Sequence, residues 1–220
     1  GGVIRAVNRL SRGRIEILKL DAQWHEKPLP GAWFEVKNVK TGEIFRMVTG
    51  ADGKAVSGEL PAAYLGDDGR AVPYEYQVRE IQAPEGFCLD NRVWKFWFDN
   101  THTPLTVKKI RVENEETRLW FSKSSFHTDH FVKGARLAIY NAGAEDGQMR
   151  PWGDPLEVWV SGPEPHLVSG KLSGGRTYFL VEEEAPEGYS PAEPVMFTVS
   201  DDGRSITEIS SASSLVQIRY

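Results

Sequence analysis

Three polar residues sit where apolar stripes end. Ile15, Ile17 and Lys19 alternate along one stretch, Tyr76, Val78 and Glu80 along a second, and Ile110, Val112 and Asn114 along a third. Side chains two apart on a β-strand share a face. Each stretch therefore predicts a strand whose core-facing side ends in a lysine, a glutamate or an asparagine. Burying such groups is costly unless they are partnered, and the least costly arrangement is for the three to meet. Burial lowers a lysine pKa and raises a glutamate pKa. A neutral amine is a nucleophile, and a protonated carboxyl on the carboxamide oxygen polarises it and shuttles protons. The available chemistry is transamidation: Lys19 attacks the Asn114 side-chain carbonyl, ammonia leaves, and an isopeptide bond remains. Alignment alone supplies roughly 7–11 kcal/mol toward such a step. The same pattern also fits a buried Lys19–Glu80 pair with a hydrogen-bonded Asn114 and no covalent bond. Alternation by itself leaves both arrangements open.

The strands that must position these groups occur in two sets. Glu80 lies in the phrase Tyr76-x-Val78-x-Glu80-x-x-Ala83-Pro84-x-Gly86-Phe87, which recurs as Tyr178-x-Leu180-x-Glu182-x-x-Ala185-Pro186-x-Gly188-Tyr189. Gly31-Ala32 and Gly134-Ala135 are a second matched landmark. A repeat on this scale means two copies of one domain. Residues 11–116 form the first and 117–220 the second. Residues 1–10, where Val3–Asn8 resembles Ile110–Asn114, read as the last strand of an upstream repeat or a linker. Alternating β-branched and aromatic stretches at Arg14–Leu20, Trp33–Lys37, Tyr74–Arg79, Val93–Phe98 and Val107–Val112, with their partners, predict strands. Thr41-Gly42, Asp52-Gly53, Asp68-Gly69 and Asp202-Gly203 punctuate them as turns. The fold expected is all-β: two tandem immunoglobulin-like sandwiches of about seven strands each.

The second copy repeats two of the three stripes. Leu119, Phe121 and Lys123 match the first, and Tyr178, Leu180 and Glu182 the second. The first copy's spacings, applied from Lys123 and Glu182, land on Ile218 and Val216, and no asparagine follows Glu182. Either the acceptor lies just past Tyr220 or this copy has no bond; none is expected in the copy as it stands, where Lys123 and Glu182 would form a buried ion pair.

Composition removes several function classes. The 220 residues carry a net charge of −5, which argues against a nucleic-acid partner. No apolar run reaches the length of a membrane span. No secretion signal opens the sequence, so it reads as cytosolic or as the processed interior of a longer protein. Cys88 is the single cysteine; it forms no internal disulfide and reads as a small semi-buried apolar residue. His127 and His130 with Asp129 read as a solvated turn rather than a metal site, and no cofactor motif is present. Glu182, Glu183 and Glu184 alternate across a strand, so they cannot flank one bond as paired catalytic carboxylates must. Trp94, in step with Phe96 and Phe98, is expected in the core. Trp33, Trp97 and Trp152 are candidates for gripping a sugar or protein, with packing their more ordinary use.

The chain resembles the B-type repeat of the collagen adhesin family, also called the SpaA-type or prealbumin-like pilin domain, of Gram-positive surface proteins. The matching residues are Ile17-Leu18-Lys19-Leu20-Asp21, Leu29-Pro30-Gly31-Ala32-x-Phe34, Tyr76…Glu80…Ala83-Pro84-x-Gly86 and Val112-x-Asn114. The resemblance implies a prealbumin-like sandwich and a Lys19–Asn114 isopeptide bond formed with Glu80 as acid and base. It implies a non-enzymatic stalk or shaft at the bacterial cell wall. Its partners would be neighbouring domains of the same surface protein, and host protein or glycan in an adhesin role. The second copy departs from the motif again where Ser125 replaces the aspartate that follows the lysine.

Overall fold

The computed structural model describes residues 10–98, 105–125, 128–210 and 216–219, and places backbone alone at 128–129, 208–210 and 216–219. The described residues contain strands and turns and no helix. They fall into two units, and each is a prealbumin-like sandwich.

The first unit comprises the described residues up to Gln82 together with Asp90–Asn114. Its strands are β1 (Arg12–Asp21), β2 (Trp33–Asn38), β3 (Ile44–Val48), β4 (Lys54–Val56), β5 (Leu60–Pro61), β6 (Ala63–Leu65), β7 (Ala71–Pro73), β8 (Tyr76–Gln82), β9 (Val93–Phe96) and β10 (Leu105–Asn114). One sheet runs β10-β1-β4 with β5 also on β1, and another runs β3-β2-β8-β9. The first and last strands lie side by side and parallel, with Lys19 opposite Val112 and Asp21 opposite Asn114. Alternation decides what each strand buries. Ile15 and Ile17 from β1, Phe34 and Val36 from β2, Tyr76 and Val78 from β8, and Ile110 and Val112 from β10 make one core. Burying such side chains stabilises by roughly 1.5–3 kcal/mol each. Tyr76 keeps its hydroxyl satisfied by donating to the Pro61 carbonyl at 2.8 Å. Trp94 is half-buried against this core, whereas Trp33 and Trp97 face solvent.

The second unit comprises Ala83–Leu89 and the chain from Glu115 onward. Its strands are β11 (Arg118–Ser125), β12 (Thr128–Phe131), β13 (Arg136–Glu145), β14 (Gln148–Val160), β15 (His166–Ser169), β16 (Thr177–Glu184), β17 (Val195–Val199), β18 (Ile206–Ser210) and β19 (Val216–Arg219). The larger sheet runs β14-β13-β16-β17-β18; in the smaller, β11 pairs with β12, β15 and β19. Leu119, Phe121, Leu137, Ile139, Tyr178, Leu180 and Phe197 form the core. Here β19 pairs with β11 antiparallel, with Lys123 opposite Val216, the reverse of the parallel β1–β10 pair. The β13–β14 hairpin turns at Asp146 and Gly147, both with positive φ, as a tight two-residue hairpin requires. Trp152 on β14 is exposed; it crosses Gly143, where a Cβ would collide with the indole.

Candidate functional site

Lys19, Glu80 and Asn114 converge in the interior of the first unit. Their relative exposures are 0%, 4% and 2%. Lys19 arrives from the end of β1, Asn114 from the end of the adjacent parallel strand β10, and Glu80 from the facing sheet. The Lys19 ammonium nitrogen lies 3.0 Å from Glu80 Oε1 and touches Asn114 Oδ1. Asn114 Nδ2 donates to both Glu80 oxygens, at 3.0 and 2.9 Å. The carboxamide is thus turned with its nitrogen, not its oxygen, toward Glu80. A half-turn of the amide exchanges the two partners; in the orientation present, the acid faces the nitrogen that would depart. The Phe34 ring, 5.8 Å from the lysine nitrogen, supplies apolar surface on one side.

Burial sets the electrostatics. Desolvation pushes the Lys19 pKa down from 10.5, opposed by the Glu80 carboxylate. Desolvation also pushes the Glu80 pKa up from 4.5, against the pull of Lys19 and of hydrogen bonds from the Asp90 N–H and Asn114. Both shifts favour an uncharged pair, with the proton on the acid and a free electron pair on the amine.

Two supports escape the alternation argument. Opposite Glu80, the β2–β8 ladder slips, so that Trp33 faces Gln82 while Phe34 faces Glu80. The bulge leaves Ile81 unpaired and re-aims the strand. The same slip occurs opposite Glu182, where Arg136 faces Glu184 and Leu137 faces Glu182. The second support is a backbone donor: Asp90 N–H reaches Glu80 Oε2 at 2.7 Å, and Ala192 N–H reaches Glu182 Oε2 at 2.6 Å. Each donor lies ten residues beyond its glutamate, and a backbone N–H leaves no residue signature. The matched spacing in both copies is the only sequence trace.

Asp21 closes the site from the β1 end. Its buried carboxylate accepts from Gln23 N–H at 2.8 Å, Trp24 N–H at 3.2 Å and Lys27 Nζ at 3.3 Å. Burial opposes its charge, but these donors hold its pKa below 3.8. Asp21 thereby fixes the loop that leaves β1 immediately after Lys19.

In the second unit Lys123 Nζ lies 3.2 Å from Glu182 Oε2, and both side chains are buried. Glu182 Oε1 is buried without a hydrogen-bond partner among the described residues. Its counterpart Glu80 Oε1 lies against both Lys19 Nζ and Asn114 Nδ2, at 3.0 Å each. Glu183 and Glu184 point to solvent. His130 is exposed, His127 lies outside the described residues, and no cluster of three metal-binding side chains occurs among the described residues. The Cys88 thiol is buried, its pKa pushed up by desolvation. No helix among the described residues is long and apolar enough to cross a membrane.

No curated protein sequence matched the chain. Among solved structures it is similar to the Bacillus anthracis TIE protein, at 25% identity and TM-score 0.46, over 90% of this chain and 34% of that one. It is also similar to the shaft pilin SpaA of Lactobacillus rhamnosus GG (17% identity, TM-score 0.40), over 87% of this chain and 94% of that one. A Streptococcal ancillary pilin matches at 20% identity and TM-score 0.40, over 89% of this chain and 60% of the pilin. The chain thus spans about a third of the TIE protein's length. The family model of the SpaA prealbumin-like fold domain matches twice, at residues 13–111 and 117–212. Those two matches take in most of the sequence, and the chain belongs to the SpaA prealbumin-like fold domain family, in two tandem copies.

Proposed function

We propose that this chain is a load-bearing segment of a Gram-positive surface adhesin or pilin, and that its first unit carries a self-formed Lys19–Asn114 isopeptide bond. The observation that carries the reading is the buried contact of Lys19 with both Glu80 and Asn114. In the uncharged pair, the Lys19 nitrogen attacks Asn114 Cγ. The tetrahedral centre collapses as Glu80 gives its proton to Nδ2 and recovers one from the attacking nitrogen. The C–Nδ2 bond breaks and ammonia leaves, so Glu80 ends unchanged and the step is neutral overall. The reaction happens once per chain, and the folded protein is not an enzyme in the turnover sense. In the second unit no asparagine follows Glu182 within the 220-residue sequence, and the buried Lys123–Glu182 contact is read as an ion pair.

The bond suits a stalk. Tension that enters at β1 and leaves at β10 would pass through the Lys19–Asn114 link and spare the chain enclosed by it. Neighbouring domains of the same surface protein are the partners this role needs. The test is peptide mapping: digestion should yield one branched peptide joining the Lys19 and Asn114 segments. Recovery of both segments only as separate linear peptides would end the reading.

A second reading has its own observation. Trp24, Trp97 and Trp152 are 62%, 61% and 58% exposed, and bare indoles stack on sugars and anchor protein contacts. On this reading the segment grips host matrix protein or glycan. A binding screen against both classes decides it, and uniform silence would remove it.

A further inference from the structure

Glu80 lies beyond the end of the β8–β9 ladder, which stops at Arg79–Val93. In place of a strand partner it has the Asp90 N–H, which donates to Glu80 Oε2 at 2.7 Å. Three side chains of the first unit hold that N–H in place. The Asp90 carboxylate accepts from the Arg92 N–H at 2.9 Å, closing a turn two residues on. Arg92 Nε donates to the two carboxylate oxygens at 3.0 and 2.9 Å, and Arg92 Nη2 donates to Oδ2 at 2.5 Å. The guanidinium lies 5.3 Å from the centre of the Trp94 ring, and Trp94 packs against the first unit's core. The Asp90 side chain is 8% exposed. Burial opposes its charge, but the hydrogen bonds from Arg92 hold its pKa below 3.8, so it is ionised at neutral pH and keeps its partner.

The Asp90 N–H decides which oxygen of Glu80 carries the proton. Oε2 meets two donors, Asp90 N–H at 2.7 Å and Asn114 Nδ2 at 2.9 Å. A proton on Oε2 would face the Asp90 hydrogen, so Oε2 is the carbonyl oxygen of the neutral acid. Oε1 lies 3.0 Å from Lys19 Nζ and 3.0 Å from Asn114 Nδ2. A neutral amine offers a lone pair to a hydroxyl at that place. We propose that Asp90, Arg92 and Trp94 are positioning residues for the transamidation: they hold the Asp90 N–H on Glu80 Oε2 and so confine the transferable proton to Oε1, the oxygen that both the attacking and the departing nitrogen touch. The Lys19 nitrogen bonds to Asn114 Cγ. Oε1 passes its proton to Nδ2 and takes one from the attacking nitrogen, and the C–Nδ2 bond breaks to release ammonia. Oε2 keeps its N–H throughout, so the carboxyl need not rotate between the two transfers. The device rests on the bond proposed above.

The test follows ammonia loss by intact mass after the full chain is refolded from denaturant. Asp90→Ala keeps the N–H but removes the turn and the ion pair. It should slow bond formation by roughly ten- to a hundredfold, the scale of a reacting group displaced by about 1 Å. Asp90→Asn keeps an oxygen for the Arg92 N–H and should recover most of the lost rate. Arg92→Ala, at an exposed side chain, should slow the reaction in the same direction by less. Asp68→Ala is the matched control. Asp68 closes the same turn on the Arg70 N–H at 3.0 Å, with Arg70 Nε 3.7 Å from its Oδ2, on the exposed β6–β7 connection, and its loss should leave the rate at the wild-type value. In the unreactive Asn114→Ala background, Asp90→Ala should lower amide-exchange protection at residue 90 and leave that of β1, β8 and β10 unchanged, which separates misplacement from unfolding. Wild-type rates in both Asp90→Ala and Arg92→Ala, or equal slowing by Asp90→Ala and Asp90→Asn, would overturn the positioning role. So would slowing by Asp68→Ala, or loss of first-unit protection in Asp90→Ala/Asn114→Ala. A wild-type chain that keeps its ammonia would overturn the bond itself, and the device with it.

Discussion

At the scale of the residue, the account turns on a lysine made less basic and a glutamate made less acidic by the same burial. Bond formation needs Lys19 deprotonated and Glu80 protonated. At low pH the amine keeps its proton, and at high pH the acid is lost, so the rate of ammonia loss should be bell-shaped in pH. Lowering the Lys19 pKa extends the acid limb downward, and raising the Glu80 pKa extends the alkaline limb upward; both shifts widen the reactive range. Stopped refolding with mass readout across pH checks this, and a rate that climbs steadily to the ordinary lysine pKa would count against it. Glu80→Ala should abolish the reaction. It also strands a buried lysine, at a cost of about 3–5 kcal/mol, which chemical unfolding of the variant would show. These three residues were legible because period-two alternation reports which face a side chain takes. The Asp90 and Ala192 donors were not, because any residue but proline carries that N–H.

At the scale of the element, the same glutamate sits beside a bulge in β8 and in β16, but the last strands run in opposite senses. Alternation cannot report strand direction, and the reversed pairing of β19 was therefore not readable. The long β13–β14 hairpin turns at Asp146-Gly147, a turn dipeptide not singled out from the sequence, and its length depends on pairing that only the fold shows. The Lys123–Glu182 pair gives a separable prediction. Glu182→Ala alone should destabilise the second unit by about 3–5 kcal/mol, whereas Lys123→Met with Glu182→Leu should be near neutral or stabilising. Unfolding curves of the two variants measure the difference, and equal losses would contradict the buried-pair description. Asp21 acts at the β1 exit. Its pKa is lowered, so its contribution is full above 3.8 and fades as pH falls through its folded value. In the Asn114→Ala background, Asp21→Ala should cost about 1–3 kcal/mol at neutral pH and little in strong acid.

At the scale of the whole molecule, the two-copy organisation was plain from the repeated phrase. The assignment of Ala83–Leu89 to the second unit was not, because a segment's sequence says little about which core its backbone joins. In the first unit the proposed Lys19–Asn114 bond would join positions 95 apart in the sequence. By analogy with a disulfide, closing such a loop stabilises by about 4–5 kcal/mol through the unfolded chain. Its larger consequence is mechanical. Enclosed chain cannot pay out under load, so the wild type should lack an extension step of roughly 300 Å that Asn114→Ala shows in single-molecule pulling. The most direct measurement is the intact mass of the purified chain. The account predicts a mass lower than the sequence requires by one ammonia, with Lys19→Ala and Asn114→Ala each at its full sequence mass. A wild-type chain at full sequence mass, properly folded, would contradict it.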